Sequence, residues 1–346
     1  MKWLTSRRRR AWRRQIVEFL AGRFTQRSSD GRSIIDTAPE RVAIIRPNHR
    51  LGNILMLTPL VQEIESIWPA AQIDIVGGGR LNDIFKTFSS VRKSIQTPKP
   101  ALKLLLRRSF VHGLPANYDL VINVDPQSQS ARLISRRLKA KQVLEPPRQA
   151  DHLDSASRHM ALQPVDTLRS ALPRPPASEY PPLSLKLTES ERIDGHRKIE
   201  RLAGGALKVR PIIGLYPFGD KGRAYPLSWW DECVLLLRQR IPELVLIEVL
   251  PAHGQTLLKR VNARLNSRAL RDLCAQLGAM DLVLATDSGM MHLAASSGAT
   301  TFGLFRVTDR SVYAPYGGQN RAWDWRDARS PEAMVSAVES ALGLSG

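Results

Sequence analysis

The feature that most restricts the fold of this chain is a regular alternation of short apolar runs with amphipathic stretches from Arg41 onward. The runs are rich in Val, Ile and Leu, which is typical of buried strands, and the stretches between them repeat apolar residues at helical spacing. Strands that alternate with helices form βαβ units around a parallel sheet, which predicts an α/β fold. The predicted strands are 42–45, 73–76, 120–124, 143–144, 211–216, 244–250 and 281–286, and the predicted helices are 54–67, 128–138, 228–240, 254–265 and 292–297.

A proline-rich stretch interrupts this alternation near the middle of the chain. Five prolines lie between residues 172 and 183, and their fixed φ angles and missing N–H donors do not suit a helix or a central strand. At about 150 residues per domain, a chain of 346 residues corresponds to two domains. We predict α/β domains at 33–172 and 187–330 that face each other across a cleft, a linker at 173–186 and a C-terminal helix at 331–346.

The formal net charge of +19 favours anionic partners, and the N-terminal segment contributes much of it. Residues 1–32 hold ten basic and two acidic side chains beside apolar residues at helical spacing, which predicts a basic amphipathic helix. Such a helix can lie on an anionic membrane surface, or it can pack on the domain with its basic face in water. A nucleic-acid-binding arm is disfavoured, because no DNA- or RNA-binding motif follows the segment.

The apolar runs and the cysteines argue against several classes of protein. The longest runs, such as 244–250 and 282–286, are much shorter than the ~20 residues of a membrane-spanning helix. No apolar core follows the arginines at 7–10, so we expect a cytoplasmic protein without a signal peptide. Cys233 and Cys274 lie in apolar helical patterns without metal-ligand spacing, which predicts two buried thiols and no metal site.

Two turns of the first domain carry candidate site residues. After the first predicted strand, a polar turn with His49, Gly52 and Asn53 leads into an apolar stretch. Asn123 and Asp125 lie at the end of the strand predicted at 120–124. Because ligands of open α/β sheets bind at the carboxyl ends of strands, both turns are candidate binding sites. Glycine at position 52 would let the backbone approach a ligand closely.

In the second domain, two cationic side chains follow the strand predicted at 211–216. Lys221 and Arg223 lie in that turn, and either cation can neutralise a phosphate group. The turn is therefore a candidate anion site.

The start of a predicted helix offers a second anion site in the same domain. Asp287, Ser288 and Gly289 follow the strand at 281–286 and precede the helix. The free backbone N–H groups and the positive end of the helix dipole can hold a diphosphate there. His292 lies one turn into the helix and is expected to project toward the same pocket.

These segments resemble the motifs of the bacterial heptosyltransferases, glycosyltransferase family nine. The match is closest in Asp-Ser-Gly-x-x-His-Leu-Ala-Ala at 287–295, and Leu-Gly-Asn at 51–53 with Thr-Pro at 58–59 resembles a second motif. The resemblance implies the GT-B fold, in which two Rossmann-like domains face a central cleft. It places the acceptor on the first domain and the donor on the second. Arg223 occupies the position of a lysine of the family, and the resemblance implies that Thr308 supplies a phosphate-binding hydroxyl.

The resemblance also implies an activity and a location. It implies that heptose or a related sugar moves from a nucleotide diphosphate donor, expected to be ADP-linked, to the lipopolysaccharide core or a similar glycolipid. No bound cofactor or metal is expected, because the nucleotide sugar is a co-substrate. A lipid-linked acceptor implies a peripheral protein on the inner face of the bacterial inner membrane.

The chain departs from the family at two acids. The family's expected general base falls at Asn53, and an amide cannot accept the acceptor's proton. A second family acid falls at Asn123. His49 and Asp125 are the substitutes that the sequence offers for the base. The alternative is a catalytically silent protein that binds a sugar nucleotide or serves in assembly.

Overall fold

Two parallel sheets, one in each half of the chain, form the framework of the protein. The computed structural model describes residues 34–97, 117–146, 159–176, 179–205, 210–220, 222–327 and 329–344. The amphipathic helix predicted at 1–32 and the predicted site residue Lys221 lie outside these residues.

The first sheet has five parallel strands in the order β3-β2-β1-β4-β5. Its strands are β1 (Arg41–Arg46), β2 (Gln72–Gly77), β3 (Val91–Gln96), β4 (Tyr118–Asn123) and β5 (Ala140–Leu144). The helices of this half are α1 (Leu51–Leu55), α2 (Thr58–Ile67), α3 (Leu81–Ile84), α4 (Gln129–Arg137) and α5 (Gln163–Ser170).

The second sheet has six parallel strands in the order β11-β10-β9-β6-β7-β8. Its strands are β6 (Ile212–Tyr216), β7 (Val245–Val249), β8 (Ala263–Leu265), β9 (Leu282–Thr286), β10 (Thr300–Phe305) and β11 (Arg321–Asp324). The helices are α6 (Glu189–Leu202), α7 (Leu227–Arg240), α8 (Leu270–Leu277), α9 (Gly289–Ser297), α10 (Arg310–Tyr313) and α11 (Pro331–Ala341).

Two of the predicted helices differ in the structure. The helix predicted at 54–67 is divided into α1 and α2, because Pro59 has no N–H to donate to Leu55 and the Thr58 hydroxyl donates there instead, at 2.8 Å. The helix predicted at 254–265 is wrong, since this segment is a loop that ends in β8. The buried carboxylate of Glu248 accepts from the backbone N–H groups of Leu257 and Leu258, at 2.6 and 3.0 Å, so these donors are not free for a helix.

The apolar cores lie between the sheets and their helices. Strands β1, β6, β7 and β9 are buried along nearly their whole length, which explains their continuous apolar sequence. Cys233 and Cys274 are buried as predicted, and burial raises the pKa of each thiol to about 12. No helix among the described residues is both long and apolar enough to cross a membrane.

The linker region and the C-terminal helix pack on the two domains. The described residues of 173–186 contain neither helix nor strand. Helix α11 packs on α7 through Met334, Val335 and Val338. Arg271 on α8 donates to the backbone carbonyls of Asp83 and Leu185, at 3.2 and 3.0 Å, and thereby connects the second domain to the first domain and the linker.

The strand orders place a crevice at one edge of each sheet. In the first sheet the chain moves outward from β1 to β3 and then returns to β4 on the other side of β1. Strands β6 and β9 have the same relation in the second sheet. Connections on opposite faces leave open the carboxyl ends of these strand pairs, where Rossmann-like domains bind ligands.

Candidate active site

The carboxyl ends of the two sheets meet at a contact between two glycines. Helix α1, which follows β1, packs on α9, which follows β9. A Cβ atom on Gly52 would lie 2.6 Å from Cδ2 of His292, and one on Gly289 would lie 3.0 Å from Cβ of Leu51. Gly52 therefore serves a close approach of the two domains, where the sequence predicted a close approach of backbone to ligand.

Unpartnered polar groups concentrate at this junction. Among the described residues, nine buried side-chain nitrogen or oxygen atoms have no hydrogen-bond partner. Six of the nine are at the carboxyl ends of β1 and β9, on Arg46, Thr286, Asp287, Ser288 and His292. Buried polar groups are almost always hydrogen-bonded, so such a cluster indicates a place where a polar ligand binds.

Arg46 is a candidate that the sequence analysis missed. It is the last residue of β1, it is only 3% exposed, and its Nε and Nη1 atoms lack hydrogen-bond partners among the described residues. Burial lowers its pKa to about 10, while the nearby Asp125 and Tyr313 favour the charged form. A cation at the end of an otherwise apolar strand was the available signal, because a buried arginine is rare unless it is paired.

The first turn of α9 has the geometry of an anion site. Ser288 holds the N-cap position with extended backbone, φ −161° and ψ 173°, but its side chain makes no capping hydrogen bond. The backbone N–H groups of the first turn are therefore left without a side-chain cap, and they lie at the positive end of the helix dipole. A phosphate oxygen is a suitable acceptor for them.

His292 lies in the same helix and is neutral at physiological pH. Its side chain is 3% exposed, and its Nδ1 atom has no hydrogen-bond partner in the described part of the chain. Burial, followed by the charges of His159 and Arg46, lowers its pKa to about 3. A neutral ring can offer either a donor or an acceptor to a ligand.

The loop after β6 brings a cation to the end of β9. Nη1 of Arg223 lies 3.6 Å from Oδ2 of Asp287, and 28% of the arginine side chain is exposed. Gly219 permits this approach, because a Cβ atom there would lie 2.7 Å from Cγ2 of Thr286. Thr308 is half-buried in the loop after β10, the neighbour of β9 in the sheet. Four predicted residues, Arg223, Asp287, Ser288 and Thr308, thus come from three adjacent strand ends.

The geometry of His49 bears on its predicted role as a base. Its Nδ1 atom accepts a hydrogen bond from the backbone N–H of Gly79, at 3.1 Å, and its ring packs on Gly78. When Nδ1 is an acceptor, the neutral ring carries its proton on Nε2. That tautomer has no lone pair on Nε2 to take a proton from a substrate, which argues against His49 as the base.

Asn123 and Asp125 have different surroundings. Asn123 is buried, donates to Oε1 of Glu145 at 2.7 Å and accepts from the backbone N–H of Asp125 at 3.2 Å. Its amide therefore positions the turn that carries Asp125. Asp125 is half-buried, and its charge faces Arg46. Asn53 is half-buried on α1.

The family model of glycosyltransferase family 9 (heptosyltransferase) matches residues 107–336, about two thirds of the chain. The chain belongs to glycosyltransferase family 9. The predicted family and the predicted enzyme class are thereby confirmed, and the alternative of a catalytically silent protein receives no support.

Solved structures resemble this family 9 glycosyltransferase over nearly its whole length. A family 9 glycosyltransferase from Veillonella parvula has a TM-score of 0.73 and 15% identity, and the match covers 90% of this chain and 100% of that one. E. coli heptosyltransferase WaaC, solved with ADP, has a TM-score of 0.63 and 16% identity, with 87% and 99% covered. E. coli ADP-heptose LPS heptosyltransferase II has a TM-score of 0.62 and 14% identity, with 87% and 98% covered. No curated protein sequence matches the chain. The structural likenesses confirm the predicted GT-B fold.

The family 9 glycosyltransferase has its candidate acids and cations at both sides of the cleft. Asp125 lies on the first domain and Asp287 on the second, while Arg46 and Arg223 are the cations beside them. Among the described residues, no group of three or more His, Cys, Asp or Glu side chains is placed to hold a metal ion. The roles of the predicted site residues remain predictions.

Proposed function

We propose that this glycosyltransferase moves heptose or a related sugar from a nucleoside diphosphate donor, ADP-linked, to the lipopolysaccharide core or a similar glycolipid. The observation that carries the proposal is the cluster of unpartnered buried polar groups at the facing ends of β1 and β9. The complexes of WaaC with ADP and with ADP-2-deoxy-2-fluoro heptose support the choice of nucleotide.

The donor diphosphate binds at the first turn of α9. Its oxygens accept from the backbone N–H groups that follow Ser288, and Thr308 adds a hydroxyl from the neighbouring loop. Arg223 faces the same place and neutralises the charge that grows on the leaving diphosphate. Gly289 and His292 form the wall against the first domain.

The acceptor hydroxyl needs a base, and we assign this role to Asp125. The hydroxyl loses its proton to the carboxylate and attacks the anomeric carbon of the sugar, while the bond from that carbon to the diphosphate oxygen breaks. Asp125 is at the carboxyl end of β4, beside the crevice, and the hydrogen bond from its backbone to Asn123 fixes the turn. The transfer as proposed uses no bound cofactor or metal, so turnover is expected to persist after dialysis against EDTA.

The decisive experiment is a transfer assay. Purified protein is incubated with ADP-heptose and a lipopolysaccharide core acceptor, and mass spectrometry measures the acceptor. A gain of one heptose per acceptor is the expected result. If the protein binds ADP but transfers no sugar from any nucleotide donor to any core acceptor, the proposed reaction is wrong.

Binding of the donor tests the anion site separately. Arg223→Gln should weaken ADP binding by roughly tenfold or more, because a charge-assisted hydrogen bond to phosphate is lost. Arg210→Gln is the matched control, since Arg210 precedes the amino end of β6 and pairs with Glu243 there, at 3.0 Å. Calorimetry should find wild-type affinity in the control. Equal affinity of the Arg223 variant and the wild type would contradict the assignment.

We further propose that residues 1–32 hold the enzyme on the anionic inner face of the inner membrane, where a lipid-linked acceptor lies. Each basic side chain near such a surface contributes about 1 kcal/mol at low salt. Replacing Arg7, Arg8, Arg9 and Arg10 by Gln should lower binding to vesicles with anionic lipid and leave the weak binding to neutral vesicles unchanged. Unaltered sedimentation with anionic vesicles would exclude this role of the arginines.

A further inference from the structure

The buried charge of Arg46 is the feature that the donor and acceptor assignments leave unexplained. Within the part of the chain that the structure describes, two of its nitrogen atoms have no hydrogen-bond partner, and the residue is only 3% exposed. A buried cation without a partner costs free energy, and proteins retain such a group where a ligand supplies the missing negative charge.

A second buried arginine in the described part of the chain shows how this protein satisfies a structural guanidinium. Arg271 forms a two-point ion pair with Glu191, at 2.6 and 2.7 Å. It also donates to the carbonyls of Asp83, Leu185 and Lys186. Arg46 has no comparable set of partners, which separates it from the arginines that hold the fold together.

Groups near Arg46 favour its charged form, although none of the described residues forms an ion pair with it. Asp125 and Tyr313 are near enough to favour the charge, and Arg46 and His159 are near enough to His292 to help lower the pKa of that ring. Both ring nitrogens of His159 are occupied, since Nε2 lies 2.8 Å from the carbonyl of Ala314 and Nδ1 accepts from the N–H of Ala161 at 3.3 Å. The unpartnered atoms at this place are thus those of Arg46 and Nδ1 of His292.

We propose that Arg46 binds an anionic oxygen of a substrate, phosphate or carboxylate, at the boundary between the two domains. The proposal rests on the proposed function only for the identity of the substrates. Two sources have this chemistry: the diphosphate of the donor and an acidic group of the acceptor. Arg46 ends β1, and its charge helps to lower the pKa of His292 on α9, so an anion that it binds would lie beside the second domain. Such an anion would favour the arrangement in which the domains meet.

Arg46→Gln and Arg46→Lys test the proposal, with Arg41→Gln as the matched control at the exposed amino end of the same strand. Calorimetry with ADP and with inorganic pyrophosphate measures the donor arm. Calorimetry with deacylated lipopolysaccharide core, phosphorylated and dephosphorylated, measures the acceptor arm. In one arm the Gln variant should bind at least about tenfold more weakly, the Lys variant should retain part of the affinity, and the control should match the wild type.

Thermal unfolding distinguishes ligand binding from a structural role. Without ligand, the Tm of the Gln variant should equal or exceed that of the wild type, because a buried unpaired charge is removed. The rise of Tm that the bound anion causes in the wild type should be lost. Wild-type affinity of the Gln variant for every probe, or a clear fall of its Tm without ligand, would overturn the proposal. Binding of pyrophosphate does not depend on sugar transfer. Calorimetry with pyrophosphate therefore tests the role of Arg46 even if the proposed transfer reaction is wrong.

Discussion

At the scale of single residues, hydrogen bonding separates the candidates for the base. Nδ1 of His49 accepts from Gly79, so the neutral ring presents a proton at Nε2. Asp125 is half-buried in a turn whose backbone is held by Asn123. A carboxylate oxygen has a lone pair that can accept a proton, whichever tautomer His49 adopts.

Asp125→Asn is expected to lower kcat by about 10²–10⁴-fold, which is the usual contribution of a positioned base. His49→Ala should lower it by less than about tenfold, because the ring acts on the turn and not on the proton. Steady-state kinetics of both variants, with Asp36→Asn as an exposed control, measures the difference. The reverse order of the two effects would return the role to His49. Asn53→Asp adds the family's carboxylate, and restored turnover in the Asp125 variant would show that the usual geometry persists.

At the scale of elements, one ion pair joins the start of α6 to the start of α8. Glu191 completes a capping box, in which it accepts from the backbone N–H of Thr188 at 2.8 Å and donates its own N–H to the Thr188 hydroxyl at 3.2 Å. The same carboxylate binds Arg271 at two points. The hydrogen bonds from Arg271, opposed by burial and aided by Thr188, lower the pKa of Glu191 to about 2.

This pKa predicts how stability changes in acid. The folded value lies below the ordinary 4.5, so the ionised carboxylate stabilises the fold above about pH 4.5, and this contribution is lost as pH falls toward 2. Glu191→Gln should therefore flatten the decline of the free energy of unfolding between these pH values. Urea titrations of the wild type and of this variant at several pH values measure how the free energy of unfolding depends on pH. Parallel curves for the two proteins would show that the pair does not contribute.

At the scale of the whole molecule, small residues at the junction determine how closely the two domains pack. Gly52 and Gly289 let α1 and α9 approach until the backbone of one touches the side chains of the other. The site exists only because this contact brings the ends of β1 and β9 together.

Gly52→Ala should destabilise the protein by about 1–3 kcal/mol, the usual cost of an added methyl group in a packed place, since its Cβ would lie 2.6 Å from the His292 ring. Combining it with His292→Ala should recover part of the loss, because the clashing ring is removed. Chemical denaturation measures the free energy of unfolding of the wild type, both single variants and the double variant. These four values form a double-mutant cycle. Additive effects in the double variant would mean that the two residues do not touch in solution.

Local patterns in the sequence were sufficient for the family motifs and for seven of the eleven strands in the described residues, which are β1, β2, β4, β5, β6, β7 and β9. Strands such as β1, β6 and β9 are buried on both faces, so their apolar runs do not depend on which neighbours cover them. The division at Pro59 was not predicted: the apolar spacing indicated one helix at 54–67, although proline lacks the donor that a continuous helix needs. The loop before β8 was not visible, because its N–H groups bond to Glu248, which lies in another strand.

The chemistry of the site was decided by tertiary structure. The sequence supplied Asp125, Arg223 and the start of α9 as candidates, because each follows a recognisable strand. The burial of Arg46, the tautomer of His49 and the contact of Gly52 with His292 each depend on segments that are distant in the chain and meet only in the folded protein. Whether a polar atom has a hydrogen-bond partner depends on contacts between distant segments. The spacing of residues within one segment does not encode these contacts.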